Sequence, residues 1–410
     1  MEQNFTVTID SLVYEGKGLA RLPDGKAVFV PFVLPGEEAD IRLLEEKKHF
    51  AFAELIEVRK PSSMRTAPRC RHFGICGGCH YQHIPYLEQL RFKQEIFLEQ
   101  LDRIGHIQPQ KIDEILPSSR SWNYRDSLQV HVSMSGQLCF MDIYNNKPFA
   151  VEECHLPMQE INRVWPQVEF EIGDAVDRVE YRQNIDGEVM LILSGDQASV
   201  PEVQTEATIS VVHMSDEDEL LLAGDDFLVQ KILDKPFRVS AGAFFQTNLF
   251  AAEEMVRIVQ NIVKTYGRRK IMDIYCGVGL FSSFLAESAD GIIAIESSPE
   301  ACDDFAVNLD EYNHVVLYQG DAGEILPMID AYPDCIIVDP PRTGLGKEVL
   351  QQILEMNSEL LLYISCNPAT LARDATYLNQ GGFILDSSRL VDMFPQNYHI
   401  ESINIFLRES

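Results

Sequence analysis

Positive charge is scarce in this chain. Its 410 residues include 34 Lys+Arg against 63 Asp+Glu, a formal net charge of -29 at pH 7. Phosphate contacts are made largely by Lys and Arg, so the total, taken alone, argues against a nucleic-acid binder. Long hydrophobic runs are also missing. Cys335-Ile336-Ile337-Val338, among the longest, falls far short of the roughly 20 residues that span a bilayer. The first 30 residues carry early acids and no uninterrupted apolar core, so they do not read as a signal peptide. A soluble, cytoplasmic protein is expected. Internal repeats and low-complexity segments are absent. What remains is ordinary globular composition, 46% hydrophobic and 24% charged, with length for two or three domains. The nine cysteines are then expected as thiols, ligands or nucleophiles rather than disulfides.

The pattern along the chain predicts an α/β multidomain protein in three segments. Residues 1–58 alternate in short runs, such as Phe5-Thr-Val-Thr-Ile9, punctuated by Gly16, Gly18 and Asp24-Gly25. That spacing predicts a small antiparallel, OB-like barrel. Lys60-Pro61-Ser62-Ser63 reads as its exit linker. Residues 59–236 read as a mixed α+β domain. It holds a Cys/Gly-rich loop, a helix over Tyr86–Ile104 ended by Gly105, strand-like runs such as Leu128–Met134, and a solvated acidic turn from Ser215 to Glu219. Over residues 237–410 strand and helix alternate. Lys270–Tyr275, Gly291–Glu296, Val315–Tyr318, Cys335–Asp339 and Leu360–Ser365 read as buried parallel strands of a doubly wound, Rossmann-like sheet.

Four motifs lie on the strand ends of that sheet. Asp273-Ile-Tyr275-Cys-Gly277-Val-Gly279 follows a strand and opens a helix, and Glu296 ends the next strand, where an acid can hold ribose hydroxyls. Ser282 occupies the place of the third glycine of a dinucleotide fingerprint, which favours S-adenosylmethionine instead. In Ile336-Ile-Val-Asp339-Pro-Pro-Arg342 an apolar strand delivers one carboxylate and two prolines then set the chain direction. Asp-Pro-Pro in such a place resembles the motif of methyltransferases that act on nucleobases. Ser365-Cys366-Asn367-Pro368 presents a cysteine flanked by polar residues at a strand end. Thiolate is intrinsically nucleophilic, so Cys366 is the candidate nucleophile. Cys276 is a weaker rival inside the glycine loop, while Cys302 and Cys335 read as core filler. In Phe394-Pro-Gln-Asn-Tyr-His399-Ile-Glu401, either His399 or Glu401 can serve as general base, and the residues alone leave that open.

A further constellation lies upstream: Cys70-x5-Cys76-x2-Cys79, then Cys154, with Gly74, Gly77 and Gly78 freeing the loop. Three clustered thiols plus a distant fourth can bind zinc or a 4Fe-4S cluster. The three-plus-one arrangement favours iron–sulfur over the two paired knuckles common in structural zinc sites.

Taken in order, these motifs resemble the bacterial RNA uracil-C5 methyltransferases, and the resemblance covers nearly the whole chain. Phe245-Gln246-Thr-Asn248, Asp273–Gly279, Asp339-Pro-Pro-Arg342, Ser365-Cys366-Asn-Pro368 and His399-Ile-Glu401 are similar to the catalytic motifs of that family. Residues 1–58 resemble its TRAM domain, an RNA-binding barrel. The spacing of Cys70, Cys76, Cys79 and Cys154 is similar to the 4Fe-4S site of its ribosomal RNA members. The resemblance implies Cys366 as nucleophile at uracil C6 and Glu401, rather than His399, as base at C5. It implies Gln246, Tyr275, Gly277, Gly279, Glu296, Asp321 and Asp339 around S-adenosylmethionine and the uracil. Leu280 departs from relatives that place a polar residue there. The implied substrate is 23S ribosomal RNA, acted on by a monomer. The alternatives are a transfer RNA uracil-C5 methyltransferase, a cytosine-C5 methyltransferase, or a non-catalytic RNA-binding iron–sulfur protein.

Divided by segment, the charge becomes informative. Residues 61–125 hold 9 basic against 6 acidic groups, the only net-positive stretch; residues 126–240 hold 7 against 22. Arg65, Arg69, Arg71, Arg91, Lys93, Arg120 and Arg125 are therefore expected to form a confined docking patch for RNA.

Overall fold

In the N-terminal strands every second side chain turns inward, and five such strands close on themselves. A computed structural model describes residues 3–133, 135–170, 178–195, 203–215 and 219–409. Strands Asn4–Leu12, Lys17–Arg21, Ala27–Pro31, Phe50–Lys60 and Glu38–Glu46 follow one another around a closed barrel. Val7, Ile9, Val28, Val30 and Ile41 fill it, with Ala20, Ala39, Ala51 and Ala53 where space narrows. A Cβ at Gly18 would lie 2.4 Å from Val33, so glycine permits the tight closure there.

The described chain divides into two compact units that interleave in sequence. The first holds residues 1–100, 139–155 and 394–399. Here the linker after the barrel is latched rather than loose. Arg65 donates to both carboxylate oxygens of the fully buried Glu37 at 2.7 Å, and the Ser62 and Leu34 amides donate to the same carboxylate. Burial raises the affinity of Glu37 for a proton, but Arg65 and the two amides outweigh it and hold the carboxyl below its usual range.

The second unit holds residues 101–138, 156–393 and 400–410. Its eight-stranded sheet runs in the order Val315–Gln319, Gly291–Glu296, Lys270–Ile274, Cys335–Val338, Leu360–Ser365, Glu401–Arg408, Phe383–Val391, Lys111–Ile112. The first five strands are parallel and Cys335–Val338 and Leu360–Ser365 are buried throughout, as a sheet covered on both faces requires. Strand order reverses between Lys270–Ile274 and Cys335–Val338, the topological switch point at whose carboxyl edge doubly wound sheets bind ligands. Beyond Leu360–Ser365 the sheet turns antiparallel: Glu401–Arg408 and Phe383–Val391 form a hairpin that the alternating strand–helix pattern does not announce. A second sheet in this unit is built on Ser127–Val132, Arg178–Gln183, Val189–Ser194, Ser210–Met214 and Glu219–Ala223.

Local expectations differ in detail. The helix from Tyr86 ends at Gln100, and Leu101–Gly105 is wound more widely. Gly105 then approaches the helix Pro368–Gln380 so closely that a Cβ would lie 2.7 Å from the Ala372 carbonyl. Met134 and residues 216–218 of the acidic turn lie outside the described residues. Among the described residues no helix is long and apolar enough to cross a membrane.

Candidate active site and cysteine cluster

The register of two strands brings the leading candidates together. Ser365 pairs with Ser402 in the antiparallel ladder, so one step further Cys366 faces Glu401. Cys366 is half-buried and Glu401 is 6% exposed. The turn that holds the thiol is tied on both sides. Asn367 caps the helix Pro368–Gln380 through the Ala369 amide at 3.0 Å, and its Nδ2 donates to the Arg342 carbonyl at 3.0 Å. Thr370 donates to that same carbonyl. The Asp339–Arg342 turn is thereby fastened to the Cys366 turn.

Their electrostatics fit this proximity. Burial first, then the Glu401 and Asp339 carboxylates, push the Cys366 thiol up to about 12, with Arg342 opposing. Glu401 is raised well above the usual carboxylate range by burial and by Asp339, again with Arg342 opposing. Asp339 itself is pushed up to about 7 by withdrawal from water and by Asp273. Gln246 Nε2 donates to Asp339 at 3.4 Å. The Phe245–Asn248 segment that carries Gln246 is held by Asn248, which caps the helix Leu249–Thr265 and donates to Ser118 and the Met393 carbonyl.

The glycine loop lies at the same edge of the sheet. Tyr275, Gly277 and Gly279 all adopt positive φ, at 66°, 54° and 89°. That is strain for a tyrosine, and such strain clusters at functional sites. A Cβ at Gly279 would lie 2.4 Å from Leu309, so glycine lets the loop pack on the helix Pro299–Asn308. A Cβ at Gly277 would meet nothing within 4 Å, which leaves one side of the loop open to a ligand. Glu296 accepts from the Gly277 amide at 2.9 Å and from the Ser297 and Ser298 amides. Asp321 is exposed and caps a short helix through the Gly323 amide. Its charge, after burial, helps raise Tyr275 to about 12.

Two further residues acquire significance here. Asp273 is buried, accepts from Ser282 at 2.6 Å, is pushed up to about 6 by burial, and leaves Oδ1 without a partner under the glycine loop. Arg342 supplies the positive charge beside Cys366 and Glu401. Both stand inside motifs visible in the sequence, but the burial of Asp273 and the proximity of Arg342 to Cys366 and Glu401 are not. The two rival residues have other surroundings. His399 lies in the first unit, its ring against Phe394 and Tyr398. Cys276 is buried, with its thiol raised well above its ordinary range by burial.

The cysteine quartet gathers in the first unit. An isolated bridge pairs Cys76 with Asp142, and Cys139–Met141 pairs with Pro148–Ala150, which returns the chain toward Cys154. Arg71 joins its amide to Glu153 and its guanidinium to Glu152. Burial, followed by the charges of Cys154, Cys76 and Cys70, raises the Cys79 thiol, while Gln82 opposes. The Gly78 amide donates to Cys76 Sγ at 3.3 Å. Among the described residues no three His, Cys, Asp or Glu groups converge on the position of a metal ion.

The fold commits part of the expected basic patch to internal partners. Arg65 is committed to Glu37, and Lys93, 1% exposed, donates to the Phe394 carbonyl. Arg71 pairs with Glu152, Arg91 with Glu88 and Glu95, and the Arg120 guanidinium lies over the Phe250 ring. A count by segment cannot see these partners, because several come from distant parts of the chain.

Known proteins match this architecture. Residues 3–56 match the TRAM domain family, and residues 328–409 match the tRNA (Uracil-5-)-methyltransferase family. An RNA methyltransferase of Aquifex aeolicus is 31% identical, the match covering 97% of each chain. One of Halalkalibacterium halodurans is 30% identical over 97% of this chain and 96% of its own. The solved structure of the Pyrococcus abyssi tRNA (uracil-54, C5)-methyltransferase in complex with S-adenosyl-L-homocysteine superposes with a TM-score of 0.75, over 99% of this chain and 100% of that one. At 23% identity, that likeness is one of fold. With both family matches and two full-length relatives in agreement, the chain belongs to the RNA uracil-C5 methyltransferase family that carries a TRAM domain.

Proposed function

We propose that this chain transfers a methyl group from S-adenosylmethionine to C5 of a uridine in RNA, with Cys366 as nucleophile and Glu401 as base. The observation that carries the reading is the strand register that sets Cys366 opposite Glu401, with Asp339 beside them. Uracil C5 is too weak a nucleophile to attack a sulfonium methyl directly. Cys366 Sγ adds to C6, and the displaced electron pair makes C5 an enolate carbon. S-Adenosylmethionine supplies the methyl and leaves as S-adenosylhomocysteine. Glu401 then removes the C5 proton, and elimination across C5–C6 expels Cys366. A carboxylate whose proton affinity is raised is a stronger base once ionised, and Arg342 keeps its ionised form within reach. The half-open Gly277 loop, the unpartnered Asp273 Oδ1 and Glu296 fit an adenosine ligand, with Gln246, Tyr275, Gly279, Asp321 and Asp339 around it and the uracil. A target uridine in structured RNA must be unpaired or flipped out.

Tritiated S-adenosylmethionine with total RNA from a strain lacking the gene tests this. Label at uracil C5 is expected; no label from protein that binds the cofactor would refute it. Ribosomal RNA of the 23S type is the proposed substrate, on the resemblance of the cysteine quartet, and mapping 5-methyluridine in that strain decides against transfer RNA or for it.

Cys70, Cys76, Cys79 and Cys154 are proposed to hold a 4Fe-4S cluster. Support comes from the closeness of the Cys79 thiol to those of Cys154, Cys76 and Cys70, and from an amide aimed at Cys76 Sγ. A multi-iron cluster takes its thiolates at wider spacing than a single ion. It would supply a covalent staple for a loop with little regular structure.

A further inference from the structure

The barrel carries aromatic rings on the wrong side. Val28 and Val30 point into it, as do Ala51 and Ala53, so the alternation turns Phe29, Phe50 and Phe52 outward. A solvated strand face ordinarily carries polar residues. Here the parallel register sets Phe29 beside Phe52, and the three half-buried rings pack together with centroids 5.4–5.9 Å apart. Two ammonium groups ride on them. Lys17 Nζ lies 5.3 Å from the Phe52 centroid, and Lys47 Nζ lies 5.5 Å from Phe50 and 5.8 Å from Phe52.

We propose that Phe29, Phe50 and Phe52, flanked by Lys17 and Lys47, form a stacking platform for unpaired bases of the RNA substrate. The proposal deepens the reading of this chain as an enzyme acting on RNA and rests on it. Aromatic rings beside lysines are what single-stranded nucleic acid requires: a π-face for each base and a cation for the adjoining phosphate. An apolar protein partner fits this surface worse, because it would bury both ammonium groups. The lysines have carboxylate partners, Glu15 at 2.6 Å and Glu45 at 3.4 Å, with those glutamates 56% and 58% exposed. Ion pairs so exposed are weak, so phosphate replaces them at little cost. Arg65 and Lys93, in the net-basic segment 61–125, are committed to internal partners, so neither competes with this face for phosphate. Stacking is tolerant of sequence, so the platform holds the strand near the enzyme and does not choose the target uridine.

A fluorescent oligouridine of about 12 nucleotides, a length within the range single barrels of this type engage, tests the platform in the full-length protein. The double variant F50L/F52L should bind it about tenfold or more weakly, with cofactor affinity and thermal midpoint unchanged, and F52W should bind at least as tightly as the parent. Lys47→Gln should weaken binding less and flatten its salt dependence. Parent-like affinity in F50L/F52L, or no oligouridine binding by the parent, overturns the proposal. Loss of binding in F50L/F52L together with absence of methyl transfer by the parent would uphold the platform and overturn the catalytic reading instead.

Discussion

Two regions of this molecule gather cysteine and carboxylate chemistry, and they are built in opposite ways. Around Cys366 the scaffold is a sheet edge: parallel strands deliver Asp339 and Cys366, an antiparallel strand returns Glu401, and Asn367 ties the turns together. Around Cys70, Cys76, Cys79 and Cys154 the scaffold is loop, joined by the Cys76–Asp142 bridge, a short hairpin and the Arg71 contacts to Glu152 and Glu153. The first region needs no further group to define its geometry. The second assembles thiols that oppose each other's ionisation. The carboxylates differ likewise. Glu37 beside the barrel is held below its usual range by Arg65 and two amides, whereas Asp339, Asp126 and Asp273 in the second unit are pushed up by burial. Glu37 is thus held toward its ionised form, and these three aspartates toward their protonated form.

The largest effect that would break this contrast comes from Cys366→Ala. Turnover should vanish while binding of S-adenosylmethionine, measured by calorimetry, persists; residual methyl transfer would move the nucleophile elsewhere. Glu401→Gln keeps the strand pair and removes the base, so the rate should fall about 10²–10⁴-fold. Because elimination requires loss of the C5 proton, a denaturant-resistant RNA–protein adduct should accumulate on a gel. On the other side, protein purified without oxygen should be brown, and Cys79→Ser should lose its iron by elemental analysis; stoichiometric zinc in the parent would overturn the cluster.

Smaller effects sharpen the electrostatic half. Arg65→Ala leaves Glu37 buried without its main partner and should cost about 3 kcal/mol in denaturant unfolding. With a depressed native value, the Glu37 latch stabilises fully above the usual glutamate range and is lost as pH falls through that native value. Asp126 behaves oppositely: its native value is raised from 3.8 to about 7, so it favours the fold below about pH 4 and that advantage disappears as pH rises through 7. Asp126→Asn should therefore flatten the decline in stability between pH 4 and 7, and an unchanged slope would remove Asp126 from the account.

Legibility followed sequence distance. The barrel's alternation and the five parallel strands were readable because each pattern is local, with period two in one case and short buried runs between helices in the other. The catalytic motifs were readable as strings at strand ends. Of His399 and Glu401, it is Glu401 that the ladder brings opposite Cys366, a matter of strand register that the residues alone do not show. The basic patch was only partly legible for a related reason. Residues 61–125 count as positive, yet Arg65 meets Glu37 and Arg71 meets Glu152 across long stretches of chain. The outward phenylalanines were hidden in a pattern that reads as strand whichever face is inside, since alternation alone does not say which side meets solvent.

By itself, then, the sequence determined the element types, the order of motifs and the family resemblance, because propensity, periodicity and motif spacing are written along the chain. Only the tertiary structure decided which carboxylate faces Cys366, which arginines are already paired, and which aromatic residues look outward. Those are matters of register and burial, set when segments tens of residues apart pack together and exclude water.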